Sequence, residues 1–383
     1  MTLKEELEIL RGEPIAVFDG EPLDIPCIET SDLEKLCKQP VVSVHMITYN
    51  HEPYIRQAIE GVMSQQTDFE FELVIGEDCS TDKTREICFE YQKKYPEKIR
   101  VLWAEQNVNR LGGNGRRTLA RCRGEFIAFC EGDDCWTDPH KLQKQVDAMR
   151  ANPSVGLCFA RAKLMTQATG TEKLWDRNDH IPHGLIKGAD FFRWHVFGRA
   201  LADAPGEDIE FLMTATTLVR KSAFDKVRAD SEIFTWRLFL GDSTLWLGLA
   251  TVSDVYYLPD VVSTYRVQPG GVCSRRAMAV CRDAQIVRLY WLNKIGIKPE
   301  HPMGFLYGRL FADRLRCVLD EHPERRVAEA QAIMTRPEFR MTSGAYRRFV
   351  ALNAKWWVPT RLLMKAVSVL SLLRRRLCSD MSK

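Results

Sequence analysis

Three carboxylates stand within four residues at Glu131-Gly132-Asp133-Asp134, directly after the apolar run Phe126–Cys130. Side chains so placed repel one another unless a cation or hydrogen bonds offset their charge. Hard oxygen donors of this kind suit Mg²⁺ or Mn²⁺, which take few protein carboxylates and complete their shells from substrate phosphates. The bland alternative is a solvated acidic turn. A second acidic stretch, Gly76-Glu77-Asp78-Cys79-Ser80-Thr81-Asp82, follows the apolar run Phe71–Ile75. Further along, Asp242 opens a helical pattern; taken alone it reads as an N-cap held by the helix dipole and free N–H groups. Neither GxxxxGKS nor GxxxxGKT occurs, and Gly112-Gly113-Asn114-Gly115 does not match GxGxxG, so a phosphate-loop NTPase is disfavoured.

These side chains need a scaffold, and the pattern around them supplies one. Strand-like Val41–Thr48 ends in the turn signal Tyr49-Asn50-His51, and Tyr54–Gln65 follows with helical spacing. Strand Phe71–Ile75 leads to a helix over Asp82–Tyr95, with Thr81 or Asp82 as N-cap. Strand Ile99–Trp103, a helix over 114–122, strand Phe126–Cys130 and a helix over Asp138–Ala151 complete the series. Such alternation predicts an α/β fold with a mainly parallel sheet flanked by helices. Ligands of open parallel sheets bind outside the carboxyl ends of the strands, and three of the four ends here carry polar or acidic groups. The second half is less regular, with strands expected over 155–160, 211–220, 254–258 and 261–267 and helices over 222–227 and 240–250. We read 1–40 as an N-terminal extension, 41–270 as the main domain and 271–383 as a helical C-terminal region.

Composition excludes other classes. Of 383 residues, 45% are apolar and 27% charged, which rules out a disordered or collagenous chain. Lys plus Arg number 54 against 51 Asp plus Glu, too balanced for a nucleic-acid binder. Twelve scattered cysteines without CxxC read as reduced thiols in the cytosol. No apolar stretch reaches the roughly 18–20 residues of a membrane span.

Three segments, VSVHMITYNHEPYIRQAIEGVMSQ, FELVIGEDCSTDKTREI and GEFIAFCEGDDCWTDPHKLQKQV, in this order and spacing, resemble glycosyltransferase family 2. The last is similar to bacterial members that build capsular or lipopolysaccharide chains. The resemblance covers about residues 41–270. It implies the GT-A fold, with a nucleotide-sugar donor, for which UDP is the family-weighted choice, and a divalent cation, Mn²⁺ or Mg²⁺. Carried over by residue, Thr48, Tyr49 and Asn50 border the donor at the first strand end, and Asp78 accepts a hydrogen bond from the base beside Glu77. Asp133 and Asp134 hold the cation, with Glu131, where the family usually has Asp, nearer the ribose. Either Arg116 or Arg117 approaches the nucleotide. Asp242 is the implied catalytic base, Thr216, Thr217 and Trp246 lie on the acceptor side, and Gln268 stands where many members have His.

The resemblance thus implies inverting transfer to a hydroxyl of a glycan or lipid-linked acceptor in bacterial surface polysaccharide synthesis. Two alternatives stay open: a non-catalytic nucleotide-sugar-binding scaffold and a sugar nucleotidyltransferase. Residues 355–383 carry seven basic side chains against Asp380, and Leu362, Ala366, Val369, Leu370, Leu373 and Leu377 share one helical face. That pattern suits an interfacial helix drawn to anionic lipid, so the expected location is cytoplasmic with peripheral contact at the inner membrane face.

Overall fold

The computed structural model describes residues 1–108, 112–175, 181–197, 212–238, 241–268, 277–296 and, with interruptions, 307–351. The basic tail 355–383, His180 and Gly270-Gly271 lie outside the described residues. Two units are distinguished by their internal contacts, one spanning 16–274 and the other joining 1–15 to the chain from 275 onward.

In the larger unit the strands are β1 (Ile28–Thr30), β2 (Val42–Thr48), β3 (Phe71–Glu77), β4 (Ile99–Trp103), β5 (Phe126–Phe129), β6 (Cys135–Trp136), β7 (Val155–Thr166), β8 (Thr171–Leu174), β9 (Gly184–Ile186), β10 (Leu218–Arg220) and β11 (Asp254–Val267). They form one sheet in the order β1-β4-β3-β2-β5-β10-β7-β11-β6, with β8 added to β7 and β9 to β11. Strands β4, β3, β2 and β5 are mutually parallel. Every residue of β3 and β5 is buried, as is all of β2 but one; this is why these strands read as continuous apolar runs. Helices α2 (Ile55–Met63), α3 (Thr84–Lys94), α4 (Gly113–Leu119) and α5 (Lys141–Ala151) connect and cover them. In α2 the buried positions Ile55, Ala58, Ile59 and Val62 keep one face toward the core.

From β2 the chain adds β3 and β4 on one side, then returns to place β5 on the other. That reversal opens a crevice at the carboxyl ends of β2 and β5. The expected α/β class with a mainly parallel central sheet is borne out. Beyond β5 the sheet turns mixed: β10 lies antiparallel to β5 and β7, while β7 and β11 run parallel. Helices α6 (Gly188–Phe197), α7 (Lys221–Ala229) and α8 (Gly241–Val252) belong to this half.

Three local expectations are corrected. The strand expected over 211–220 is only β10, preceded by a 3-10 turn at Thr214–Thr216. The two closing strands are one, β11, with register shifts around Pro259, whose missing N–H interrupts the ladder without ending it. Residues 28–30, read as part of an extension, form edge strand β1 against β4.

In the smaller unit, α1 (Leu3–Arg11) starts from a capping box between Thr2 and Glu5 and ends at Gly12, whose φ is 88°. Its Arg11 donates to Asp283 at 2.9 Å from Nε, and Asp283 lies on the helix Ala277–Lys294. Among the described residues no helix is long and apolar enough to cross a membrane, and ten cysteines are free thiols.

Candidate active site

The crevice begins where β2 and β3 end together, with Thr48 paired to Glu77. Asp78 N–H donates to Thr48 O at 3.1 Å, and Asp78 Oδ1 accepts from Val108 N–H at 2.8 Å. Asn50 ties the two strand-end loops: its N–H donates to Ser80 Oγ (3.0 Å) and its Oδ1 accepts from Thr81 N–H (2.8 Å). Its φ of 55° is left-handed, a conformation Asn tolerates better than most residues. Glu77 is wholly buried and turned into its own loop, accepting from Ser80 N–H at 2.6 Å and pairing with Arg85 at 2.5 Å. Tyr49 is exposed on the rim.

Adjacent arginines, inseparable in sequence, separate here. Arg117 is fully buried, donates to Glu77 O at 2.8 Å and has Nη2 3.9 Å from Asp78 Oδ1. Arg116 instead stands over the Phe18 ring, 4.0 Å from its centre.

Opposite, the acidic motif runs on from β5 into the same crevice. Gly132 N–H donates to Ile47 O at 2.9 Å. A Cβ at Gly132 would stand 2.7 Å from Thr48 Oγ1 and 2.9 Å from His51 Nδ1, so the glycine permits this approach of backbone to side chains. Asp133 Oδ2 accepts from Gln268 Nε2 at 2.9 Å and lies 3.9 Å from His51 Nε2. Strand β6 pairs with β11, which puts Arg266 N–H 3.2 Å from Asp134 Oδ1.

Charge is concentrated here. Burial, then Asp133 and Asp242, push the Glu131 carboxyl up to about 8. Burial, then Asp133 and Glu131, hold Asp134 well above the usual carboxylate range. Burial also raises Asp242, against donation from Ser243 N–H at 2.7 Å and Thr214 Oγ1 at 3.4 Å. Asp78, Thr48 and Gly132 thus adjoin through a hydrogen bond and a close approach, and Asp133 and Asp242 both act electrostatically on Glu131.

The acceptor-side residues divide. Thr216 and Thr217 are buried, and their hydroxyls donate within the turn, to Met213 O and Thr214 O, each at 2.7 Å. Trp246 is only 1% exposed and meets Phe129 edge-on at 5.7 Å, so it packs beneath the site. Thr214, on the same turn, is the residue whose hydroxyl reaches Asp242. That turn hangs from α5: Gln145 Nε2 donates to Thr216 O at 2.7 Å, and Lys141 Nζ to Gln145 Oε1 at 2.8 Å and Thr217 O at 3.4 Å. Burial pushes Lys141 down to about 7. Sequence reasoning missed this support and His51, since neither carries a spacing signal of its own.

The donor chemistry suits a hard cation, and Glu131 Oε2 is buried with no hydrogen-bond partner. Among the described residues no three His, Cys, Asp or Glu side chains cluster tightly enough to hold an ion alone. Asp133 and Asp134 are the residues that could hold such a cation, and phosphate oxygens would have to complete its shell. Burial holds the Cys130 thiol well above its usual range, which makes it a poor nucleophile.

Residues 43–228 match the family model for Glycosyl transferase family 2. An uncharacterized protein of Mycobacterium tuberculosis is 42% identical over 118 residues, 31% of this chain and 34% of that protein. The putative teichuronic acid biosynthesis glycosyltransferase TuaG of Bacillus subtilis is 35% identical over 147 residues, 38% of this chain and 55% of TuaG. The chain thus spans about a third to a half of these relatives' length. The crystal structure of S. aureus TarS 1–349 in complex with UDP-GlcNAc gives a TM-score of 0.54 at 16% identity, covering 82% of this chain and 86% of that one. At that identity the likeness is one of fold. The matched segment holds Asp78 and the acidic motif and stops short of Asp242.

Proposed function

With residues 43–228 forming a glycosyl transferase family 2 domain, we propose that this protein moves a sugar, with inversion, from a UDP-linked donor to a hydroxyl of a glycan or lipid-linked acceptor in bacterial surface polysaccharide synthesis. The observation that supports the reading is that the loops after β2, β3 and β5 adjoin, with Asp78 N–H on Thr48 O and Gly132 N–H on Ile47 O, while Asp242 acts on Glu131. UDP is chosen because the TarS structure of like fold holds UDP-GlcNAc, and the polysaccharide context because TuaG is named for teichuronic acid synthesis.

In this reading Asp78 accepts from the base, and Thr48, Tyr49 and Asn50 border the nucleoside. Asp133 and Asp134 hold a divalent cation, which when bound neutralises charge on the departing nucleoside diphosphate. Asp242 takes the proton of the acceptor hydroxyl as that oxygen attacks the anomeric carbon opposite the leaving group. A carboxyl raised by burial is the stronger base once ionised, and Thr214 keeps it oriented.

A panel of nucleotide sugars, with and without Mn²⁺, tests this by thermal shift. One donor should stabilise the protein only with the cation, and that donor should then release free nucleotide in the presence of acceptor. Donor binding without turnover supports instead a nucleotide-sugar-binding scaffold, a reading favoured by Gln268 occupying Asp133 Oδ2. We further propose peripheral membrane contact through 355–383. Co-sedimentation with anionic vesicles should be lost in a 1–354 truncation, and equal sedimentation removes that claim.

A further inference from the structure

Two arginines from separate elements flank one aromatic ring. The Arg116 and Arg237 guanidiniums stand 4.0 Å and 5.1 Å from the centre of Phe18. The ring is fixed in place: Phe18 N–H donates to Thr235 O, and Arg237 N–H to Ala16 O, each at 2.7 Å. After burial, the charges of Arg228, on α7, and of Arg237 pull the Arg116 pKa down, against Glu21.

Nearby carboxylates offset them weakly. Asp19 lies 4.0 Å from Arg237 with its side chain 99% exposed, and Glu21 lies 3.7 Å from Arg228 at 81%. Pairs so solvated contribute little. Meanwhile Arg116 Nη1 and Arg237 Nε are buried with no hydrogen-bond partner. A buried charged donor without an acceptor is costly, and two from different elements beside one ring mark a place where an oxyanion removes both penalties. Guanidinium forks match phosphate and carboxylate geometry alike. Arg228 and Arg237 remain about a third exposed, which leaves an approach from solvent.

We propose that Arg116 and Arg237 form an anion subsite for a phosphate or carboxylate group carried by the acceptor. The acceptor assignment rests on the transferase reading; the anion site does not. Arg117, not Arg116, lies beside Asp78, and Arg237 precedes Asp242 by five positions, on the chain leading into α8. The subsite thus brings Arg116 of α4 together with Arg237 of the chain before α8, and an anionic glycan is the acceptor class it fits.

Titration calorimetry on the full chain at low salt, with inorganic phosphate, glycerol 3-phosphate, glucuronate and glucose, tests the proposal. An oxyanion should bind and weaken as salt rises, glucose should not bind, and saturating UDP with Mg²⁺ should leave the oxyanion bound. Preference for glycerol 3-phosphate indicates a phosphodiester acceptor, and preference for glucuronate a uronic one. Arg116→Gln and Arg237→Gln should each weaken anion binding about tenfold with melting temperatures retained. Absence of anion binding by the wild-type chain, or displacement of the anion by UDP, overturns the proposal without recourse to variants. Anion binding in a protein that shows no transfer would keep the subsite and remove only its assignment to an acceptor.

Discussion

The two halves of the sheet present their functional groups in different ways. In β4-β3-β2-β5 the strands run parallel in unbroken register, and Thr48, Asp78 and the acidic motif simply stand at the strand ends or just past them. In β10-β7-β11-β6 the pairing is mixed and β11 shifts register; there Asp242, Thr214 and Gln268 come from a helix start, a 3-10 turn and a strand tip. A regular scaffold delivers backbone-fixed polar groups suited to a constant ligand part such as a nucleotide. An irregular one allows each group to be repositioned separately, which suits a variable acceptor. The family match runs past that line, through β7 and β10, and ends at residue 228, before Asp242.

The comparison breaks first at Asp242. Asp242→Asn should lower transfer by about 10²–10⁴-fold, the usual worth of a general base, while UDP affinity in Mn²⁺ stays within about twofold. A similar loss of both would place Asp242 with the donor half. Asp134→Asn should then separate binding from stability in the donor half. Its carboxyl is held far above the ordinary range by burial, so above pH ~4 the unfolded chain ionises there while the native chain keeps the proton, and stability falls as pH rises. An amide carries no such penalty and still accepts from Arg266 N–H. We expect stability at pH 7 to rise and metal-dependent donor affinity to fall about tenfold or more. Calorimetry and donor titration read the two signs, and a loss of both would make Asp134 structural.

Much of the donor half was legible because one rule applies to it: polar groups at the ends of buried parallel strands converge. Glycine in Glu131-Gly132-Asp133-Asp134 belongs to the same rule, since only its backbone can approach Thr48. Assignment to Arg116 or Arg117 was not legible, because neighbouring residues on a helix point about 100° apart and nothing in the sequence fixes the helix's rotation. Thr214 could not be told from Thr216 and Thr217, since a 3-10 turn of three residues leaves no period to read. Trp246 was misleading for a related reason: Ser243 through Ala250 are all buried, so α8 shows no polar face from which to infer an outward side.

Smaller effects sharpen the contrast. Thr214→Val removes a donor that lowers the Asp242 pKa, so the acidic limb of the rate profile should move to higher pH. An unmoved limb would mean that the 3.4 Å bond does not act on the base. Lys141 should matter least to activity, since it holds Gln145 and the Thr217 carbonyl behind that turn; Lys141→Met should cost about two- to threefold in kcat. Its signature lies in stability. With a native pKa of about 7 against an ordinary 10.5, the unfolded chain binds more protons between those values. Wild-type stability relative to Lys141→Met should therefore rise with pH across that window, by up to about 1.4 kcal/mol per unit, and level off outside it. Urea titrations of both proteins from pH 6 to 10 give the difference directly. Parallel curves would show that the ammonium keeps its charge inside the core, leaving Gln145 and the Thr217 carbonyl, rather than deprotonation, as what makes its burial tolerable.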